Sequence, residues 1–140
     1  MRLVVICLVG IAFAGCARQE DETLKASCAD PDSVEAAIEQ APGAVELEDG
    51  VLLSECFPRD AQGSDVQQVG ITFSRVATRL AEQRDAVRLG YLVGAARRGA
   101  ERSQAGVYSE LLRRLENELE LVDTGTPEFR AAERAGRESG

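Results

Sequence analysis

The sequence has no histidine and no tryptophan, and only 4% of its residues are aromatic. Because histidine is absent, the Ser–His and Cys–His pairs that activate a catalytic nucleophile cannot form. A Ser-x-x-Lys motif and a glycine-rich phosphate loop with its lysine are also missing. These absences indicate that the protein is not an enzyme and uses no cofactor.

One catalytic arrangement stays open, the pair of carboxylates that glycoside hydrolysis requires. Glu82, Asp85 and Glu110 would supply such a pair if the fold brought two of them together. Exposed glutamates on helices more often keep a protein in solution, and we favour that role for these side chains.

The sequence lacks an apolar run long enough for a permanent membrane anchor. Arg2 supplies a positive charge, the apolar run extends from Leu3 to Phe13, and polar residues return at Arg18. A spanning helix needs about 20 apolar residues. This layout predicts a secretory signal peptide at residues 1–15.

The apolar run closes with Phe13-Ala14-Gly15-Cys16, which resembles the lipobox of bacterial lipoproteins. Phe13 stands where leucine is usual in that family. The resemblance implies that Cys16 is lipidated and becomes the first residue of the mature protein. Two acyl chains on one cysteine give stable membrane attachment. The protein is then expected in the bacterial cell envelope, lipid-anchored to a membrane on its extracytoplasmic side.

The competing cleavage site is Ala12-Phe13-Ala14, which would release a soluble protein that begins at Gly15. That cut would leave an odd number of cysteines in the mature chain, whereas lipidation of Cys16 leaves Cys28 and Cys56 as a pair. A disulfide suits an oxidising compartment, and a structural zinc site would need four cysteine or histidine ligands. We therefore favour the lipoprotein, a Cys28–Cys56 disulfide and no metal.

Acidic residues are concentrated in one half of the chain. Residues 16–65 contain thirteen acidic and three basic side chains, for a net charge of −10, whereas residues 66–140 carry a net charge of +1. An acidic surface disfavours nucleic acid and anionic lipid surfaces as partners. Residues 16–27 are polar and short, and we interpret them as a tether between the lipid and the domain.

A helix and a hairpin are predicted after the tether. Asp30-Pro31-Asp32 is typical of a helix start, with an N-cap, a proline in the first turn and an acidic residue at the positive end of the helix dipole. Alternating residues and the turn Asp49-Gly50 predict a β-hairpin over 44–57. The competing interpretation of this segment is a loop followed by a helical turn through Leu52, Leu53 and Cys56.

Three apolar or small-residue stripes predict the core of a single domain over residues 28–126. The fold class is therefore mainly α, a small helical domain of about three core helices with a disulfide-stapled helix and hairpin at its N-terminal end. Whether residues 83–85 continue one long helix or separate two helices stays open. Residues 127–140 are interpreted as a frayed helix or a disordered tail, and we assign them to a flexible tail. The stripes are Val66, Val69, Phe73, Val76 and Leu80; Gly90 and Gly94; and Tyr108, Leu111, Leu112, Leu115, Leu119 and Val122.

Two of these stripes raise further hypotheses. The heptad-like spacing of Val66–Leu80 is compatible with a dimer through that seam. The Gly90-x-x-x-Gly94 spacing is a dimerisation signal in membrane helices, but here we favour a close helix crossing inside the folded domain.

The sequence offers one candidate ligand site, the arginines Arg97, Arg98 and Arg102. Arginine forks suit phosphate and carboxylate groups. The competing role is to solvate helix ends or to pair with acidic residues of the same chain.

The sequence therefore predicts a non-enzymatic, membrane-anchored lipoprotein that presents a small helical domain to another protein of the cell envelope. The alternative is a binder of a small anionic ligand or of cell-wall polymer through the arginine cluster. No domain family is recognised beyond the leader, and the oligomeric state is left open.

Overall fold

The computed structural model describes residues 23–140. The predicted signal peptide, Cys16 and the rest of residues 16–22 lie outside the described residues. The described chain is mainly helical, as predicted, and none of its helices has both the length and the apolar character to cross a membrane. In chain order, the helices are α1 (Ala26–Ala29), α2 (Pro31–Ile38), α3 (Gly63–Glu82), α4 (Ala86–Arg102), α5 (Ser109–Glu118) and α6 (Pro127–Ser139).

The predicted helix start at Asp30 is confirmed. Its carboxylate accepts hydrogen bonds from the backbone N–H groups of Asp32 and Ser33, at 3.3 and 3.2 Å, and from the Ser33 hydroxyl at 2.6 Å. The Ser33 hydroxyl contributes most to holding the pKa of Asp30 below its usual value. Pro31 then begins α2, which buries one apolar face in the core.

The predicted β-hairpin over residues 44–57 does not form. Asp49-Gly50 turns the chain, with Gly50 at a φ of 74° and its N–H donating to the Leu47 carbonyl at 2.8 Å. The pairing ends after one antiparallel bridge, between Glu46 and Leu52.

A side-chain cap explains why the second strand is missing. The carboxylate of Glu55 accepts a hydrogen bond from the Leu52 N–H at 2.9 Å. The cap fixes the start of a 3-10 turn at Leu53–Cys56, and the chain coils where a strand would have to stay extended. The competing interpretation, a loop followed by a helical turn, is therefore the structure that forms.

The predicted Cys28–Cys56 disulfide is confirmed. It joins α1 to the 3-10 turn, with a Cα–Cα distance of 5.3 Å and both residues fully buried. Closing a loop of this length stabilises a fold by about 3–4 kcal/mol in the chain-entropy model. Gln68 and Thr72 of α3 each donate a 3.0 Å hydrogen bond to the Ala29 carbonyl, so α1 is also fixed to the helical core.

The apolar seam of α3 forms the centre of the core. It packs against α2, α4 and α5. The small-residue face of α4, which was predicted to join this packing, meets α6 instead. The seam is used inside one chain and is not exposed for the hypothesised dimer. Its fully or almost fully buried residues are Val69, Phe73, Val76 and Leu80.

A left-handed residue separates α3 from α4. Arg84 has a φ of 56°, and the N–H of Asp85 donates to the Leu80 carbonyl at 2.9 Å, the arrangement of a Schellman motif. The Asp85 carboxylate then caps α4 by accepting the Arg88 N–H at 3.0 Å. Residues 83–85 therefore separate two helices and do not continue one long helix.

The segment assigned to a flexible tail, residues 127–140, forms α6. The hydroxyl of Thr126 accepts the Phe129 N–H at 3.2 Å, and Pro127 is the first helical residue. Phe129 and Ala132 are buried, and the contact of α6 with α4 is the most extensive between any two helices of the described chain.

Glycines bring the backbones of α4 and α6 into contact. A Cβ on Gly94 would overlap the carbonyl oxygen of Glu133, and a Cβ on Gly136 would overlap the carbonyl oxygen of Tyr91. The small-residue spacing that includes Gly90 therefore serves a close helix crossing inside the domain, as expected.

This contact predicts opposite effects for two glycine substitutions. We expect Gly94→Ala to lower the free energy of unfolding by about 1–3 kcal/mol, because the added methyl forces α6 away from α4. Gly70→Ala is the matched control in the middle of α3, where a Cβ meets nothing within 4 Å. It should raise the free energy of unfolding by about 0.5–1 kcal/mol through helix propensity. Urea unfolding measures both; changes of equal sign would contradict the crossing.

Candidate functional site

The structure places the predicted arginine cluster along α4 but gives its members different partners. Arg97 lies between α5 and α6, where it donates to Glu116 at 3.0 Å and forms a short ion pair with Glu133. Arg98 donates to the backbone carbonyls of Arg137, at 3.1 Å, and of Glu138, at the C-terminal end of α6. These two side chains therefore bind their own chain.

Arg102, the third predicted arginine, faces a different part of the molecule. Its guanidinium donates to the Ser54 hydroxyl at 2.9 Å. Ser54 is fully buried in the 3-10 turn, which places Arg102 beside the disulfide-linked segment and away from the partners of Arg97 and Arg98.

A pocket of about 350 Å³ lies where Arg102 meets the start of the described chain. We call it the basic pocket, because three of its lining side chains are cationic and one is acidic. Its lining residues are Thr23, Lys25, Val51, Glu55, Phe57, Pro58, Arg59 and Arg102.

The disulfide brings two walls of the basic pocket together. Lys25 precedes Cys28 by three residues, and Arg59 follows Cys56 by three residues. The bond between the two cysteines, both fully buried, holds these distant segments side by side. The end of α4 supplies the remaining cation, Arg102.

Aromatic packing fixes the apolar wall of the basic pocket. The Phe57 ring makes edge-to-face contacts with Phe73 and with Tyr108, each with ring centroids 4.9 Å apart. A Cβ on Gly99 would overlap the same ring, so α4 also approaches it closely. Tyr108 donates a 3.3 Å hydrogen bond to the Pro58 carbonyl, and burial followed by the nearby Asp65 charge raises the pKa of its phenol to about 12.

A second concavity, of about 240 Å³, lies between α3 and α5. Ile71, with 44% of its surface exposed, lines it. We call it the α3–α5 groove. Its lining residues are Val66, Gln67, Gly70, Ile71, Val107, Glu110, Leu111 and Arg114.

Two of the three carboxylates considered for glycoside hydrolysis, Asp85 and Glu110, form hydrogen bonds with their own helices. Glu110 accepts hydrogen bonds from Arg113 and Arg114, at 2.8 to 3.0 Å, and these bonds lower its pKa to about 2. Asp85 caps α4, and Glu82 is exposed at the end of α3. No group of metal-ligating side chains occurs within residues 23–140.

Two cationic residues of the basic pocket were not predicted from the sequence: Lys25 fell in the expected tether, and Arg59 was assigned no role. Their equal spacing from the two cysteines is the signal that could have grouped them. Comparison with family models, curated proteins and solved structures gives no significant match.

The buried phenol of Tyr108 predicts a loss of stability at alkaline pH. Because its pKa is raised from 10 to about 12 in the folded state, the unfolded chain loses this proton first. The contribution of the protonated Tyr108 phenol to the free energy of unfolding is present below pH 10 and is lost as the pH rises toward 12. Unfolding of the wild type should therefore become easier over that interval, and Tyr108→Phe should show a flatter profile. Parallel profiles would contradict the shift.

Proposed function

We propose that this protein is a non-enzymatic lipoprotein of the bacterial cell envelope. In this proposal Cys16 carries the lipid, residues 17–22 lead from the membrane to the domain, and the helical domain binds another envelope protein. No nucleic acid is involved, in keeping with the acidic charge of residues 16–65.

The observation that carries this proposal is the Cys28–Cys56 disulfide. Both cysteines are fully buried in the described core, so the bond is part of the fold. Structural disulfides of this kind are typical of proteins that fold outside the cytoplasm. This supports export, and it accounts for the cysteines beyond Cys7 and Cys16, which belong to the leader and its lipobox-like end.

The α3–α5 groove is where we place the contact with the envelope protein. Ile71 and Leu121 are the large apolar side chains left exposed in the described chain, at 44% and 57%. Ile71 lines a groove, and the ionised Glu110 with its arginine partners lies at the same place. An apolar floor with a charged rim fits a partner that offers one apolar side chain surrounded by polar groups.

The anchor is tested by the intact mass of the protein extracted from membranes. We expect a chain that begins at Cys16 and carries acyl groups, and a Cys16→Ser variant that is no longer held at the membrane. A species that begins at unmodified Gly15 would refute the lipoprotein.

The protein partner is tested with a photo-reactive amino acid at Gln67, which lies in the α3–α5 groove. Amine-reactive reagents are unsuitable, because Lys25 is the only lysine. We expect one dominant crosslinked protein in cells. Ile71→Asp should abolish it, because a charge replaces the apolar floor, and Cys16→Ser should abolish it through loss of the anchor.

Leu121→Asp is the matched control, since it removes the other exposed large apolar side chain of the described residues, which lies outside the groove. It should leave the crosslink intact. A crosslink that survives Ile71→Asp would contradict the groove as the contact, and the absence of any crosslinked protein would contradict a protein partner.

A further inference from the structure

We propose that the basic pocket binds the phosphate group of a small organic phosphate. This function is separate from the protein contact in the α3–α5 groove. The site is formed by Lys25, Arg59 and Arg102, which differs from the arginine set that the sequence suggested.

The distribution of charge supports a selected site. Residues 16–65 contain only three basic side chains against thirteen acidic ones. Two of those three, Lys25 and Arg59, line the same pocket, and Arg102 reaches it from the far end of α4. Among the described residues that line the pocket, three are cations and one, Glu55, is a carboxylate. This local excess of positive charge in the most acidic part of the chain attracts an anion.

Two lining side chains are held in place before any ligand arrives. Arg102 donates to the buried hydroxyl of Ser54 at 2.9 Å. That bond engages one donor of a guanidinium that has five, so further donors can serve a ligand. Glu55 is tied to the Leu52 N–H at 2.9 Å, which keeps the one carboxylate of the pocket on the backbone. Fixed donors reduce the entropy that binding costs.

The shape and lining identify the chemical class of the ligand. Arginine and lysine together suit a phosphate, whose several oxygens accept charge-assisted hydrogen bonds. The apolar wall of Val51, Phe57 and Pro58 suits a small organic group attached to that phosphate. A volume of about 350 Å³ lies at the lower end of the range of small-molecule sites.

The phosphate has two possible sources, a lipid headgroup or a soluble phosphate ester. Thr23 lines the pocket and lies seven residues after Cys16. Seven residues reach at most about 25 Å, so a lipid on Cys16 would keep the pocket near the membrane. This headgroup source rests on the proposed anchor. The acidic charge of the chain opposes broad contact with an anionic membrane, but it does not prevent one headgroup from entering a positive pocket.

The single lysine of the sequence makes the test direct. Isotope labelling of lysine in the full chain, held in neutral detergent, gives one set of NMR signals, those of Lys25. We expect glycerol phosphate to shift these signals with saturation, and glycerol to leave them unchanged. A shift that sodium chloride at matched ionic strength reproduces would show general screening and overturn the proposal.

Three variants check that the pocket causes the shift. Arg59→Gln and Arg102→Gln should each weaken binding of glycerol phosphate by about tenfold or more, the effect of losing one charge-assisted hydrogen bond. Arg75→Gln, at an exposed position of α3 outside the pocket, should bind like the wild type. If Arg59→Gln and Arg102→Gln bind glycerol phosphate as tightly as Arg75→Gln does, the basic pocket is not the binding site.

The source of the phosphate is decided with nanodiscs. If the ligand is a headgroup, the lipidated protein in phosphatidylglycerol nanodiscs should show the bound signals without added ligand, and phosphatidylcholine nanodiscs should not. Unchanged signals in both would assign the pocket to a soluble ester, provided that glycerol phosphate still binds. Cys16→Ser lacks the proposed lipid site, and we expect it still to bind glycerol phosphate. A protein without a lipid would therefore refute only the lipoprotein proposal, whereas a failure to bind glycerol phosphate would refute only the phosphate site.

Discussion

Close backbone approach along α4 is the constraint on which the rest of the structure depends. Gly94 admits the backbone of α6, and Gly99, five residues later, admits the ring of Phe57 and the carbonyl of Ser54. The first contact builds the C-terminal half of the domain. The second sets the 3-10 turn against α4 and thereby places the wall of the basic pocket. Small residues on one helix thus determine both the fold and the candidate site.

The same local chemistry was recognised at one helix start and missed at another. Asp30-Pro31-Asp32 predicted α2, and Thr126-Pro127-Glu128 has the same order of N-cap, proline and acidic residue before α6. The second motif was not interpreted as a helix start, and residues 127–140, which are mostly polar and small, were assigned to a frayed helix or a flexible tail. Their partner is the small face of α4, and a stripe of alanine and glycine becomes visible as a packing surface only when its partner is known.

The limits of prediction at residues 44–57 and in the arginine cluster have one physical cause. Alternation and the turn at Asp49-Gly50 are local signals, and they describe the turn correctly. The side chain of Glu55 and the need to bring Cys56 to Cys28 are what end the pairing. The sequence likewise showed that Arg97, Arg98 and Arg102 lie close together in the chain, but it did not show which groups each of them contacts. Local pattern therefore predicts elements, whereas side-chain partners require the tertiary fold.

Arg97 and Arg102 show how partners decide the role of identical side chains on one helix. Arg97 is neutralised by two carboxylates, Glu116 and Glu133, so its charge is spent on holding α4, α5 and α6 together. Arg102 is held by a neutral hydroxyl, that of Ser54, which orients the guanidinium without cancelling its charge. A charge that is positioned but not neutralised can attract an anion from solvent. For this reason we place the candidate phosphate site at the C-terminal end of α4, in the pocket that Arg102 lines, and not at Arg97.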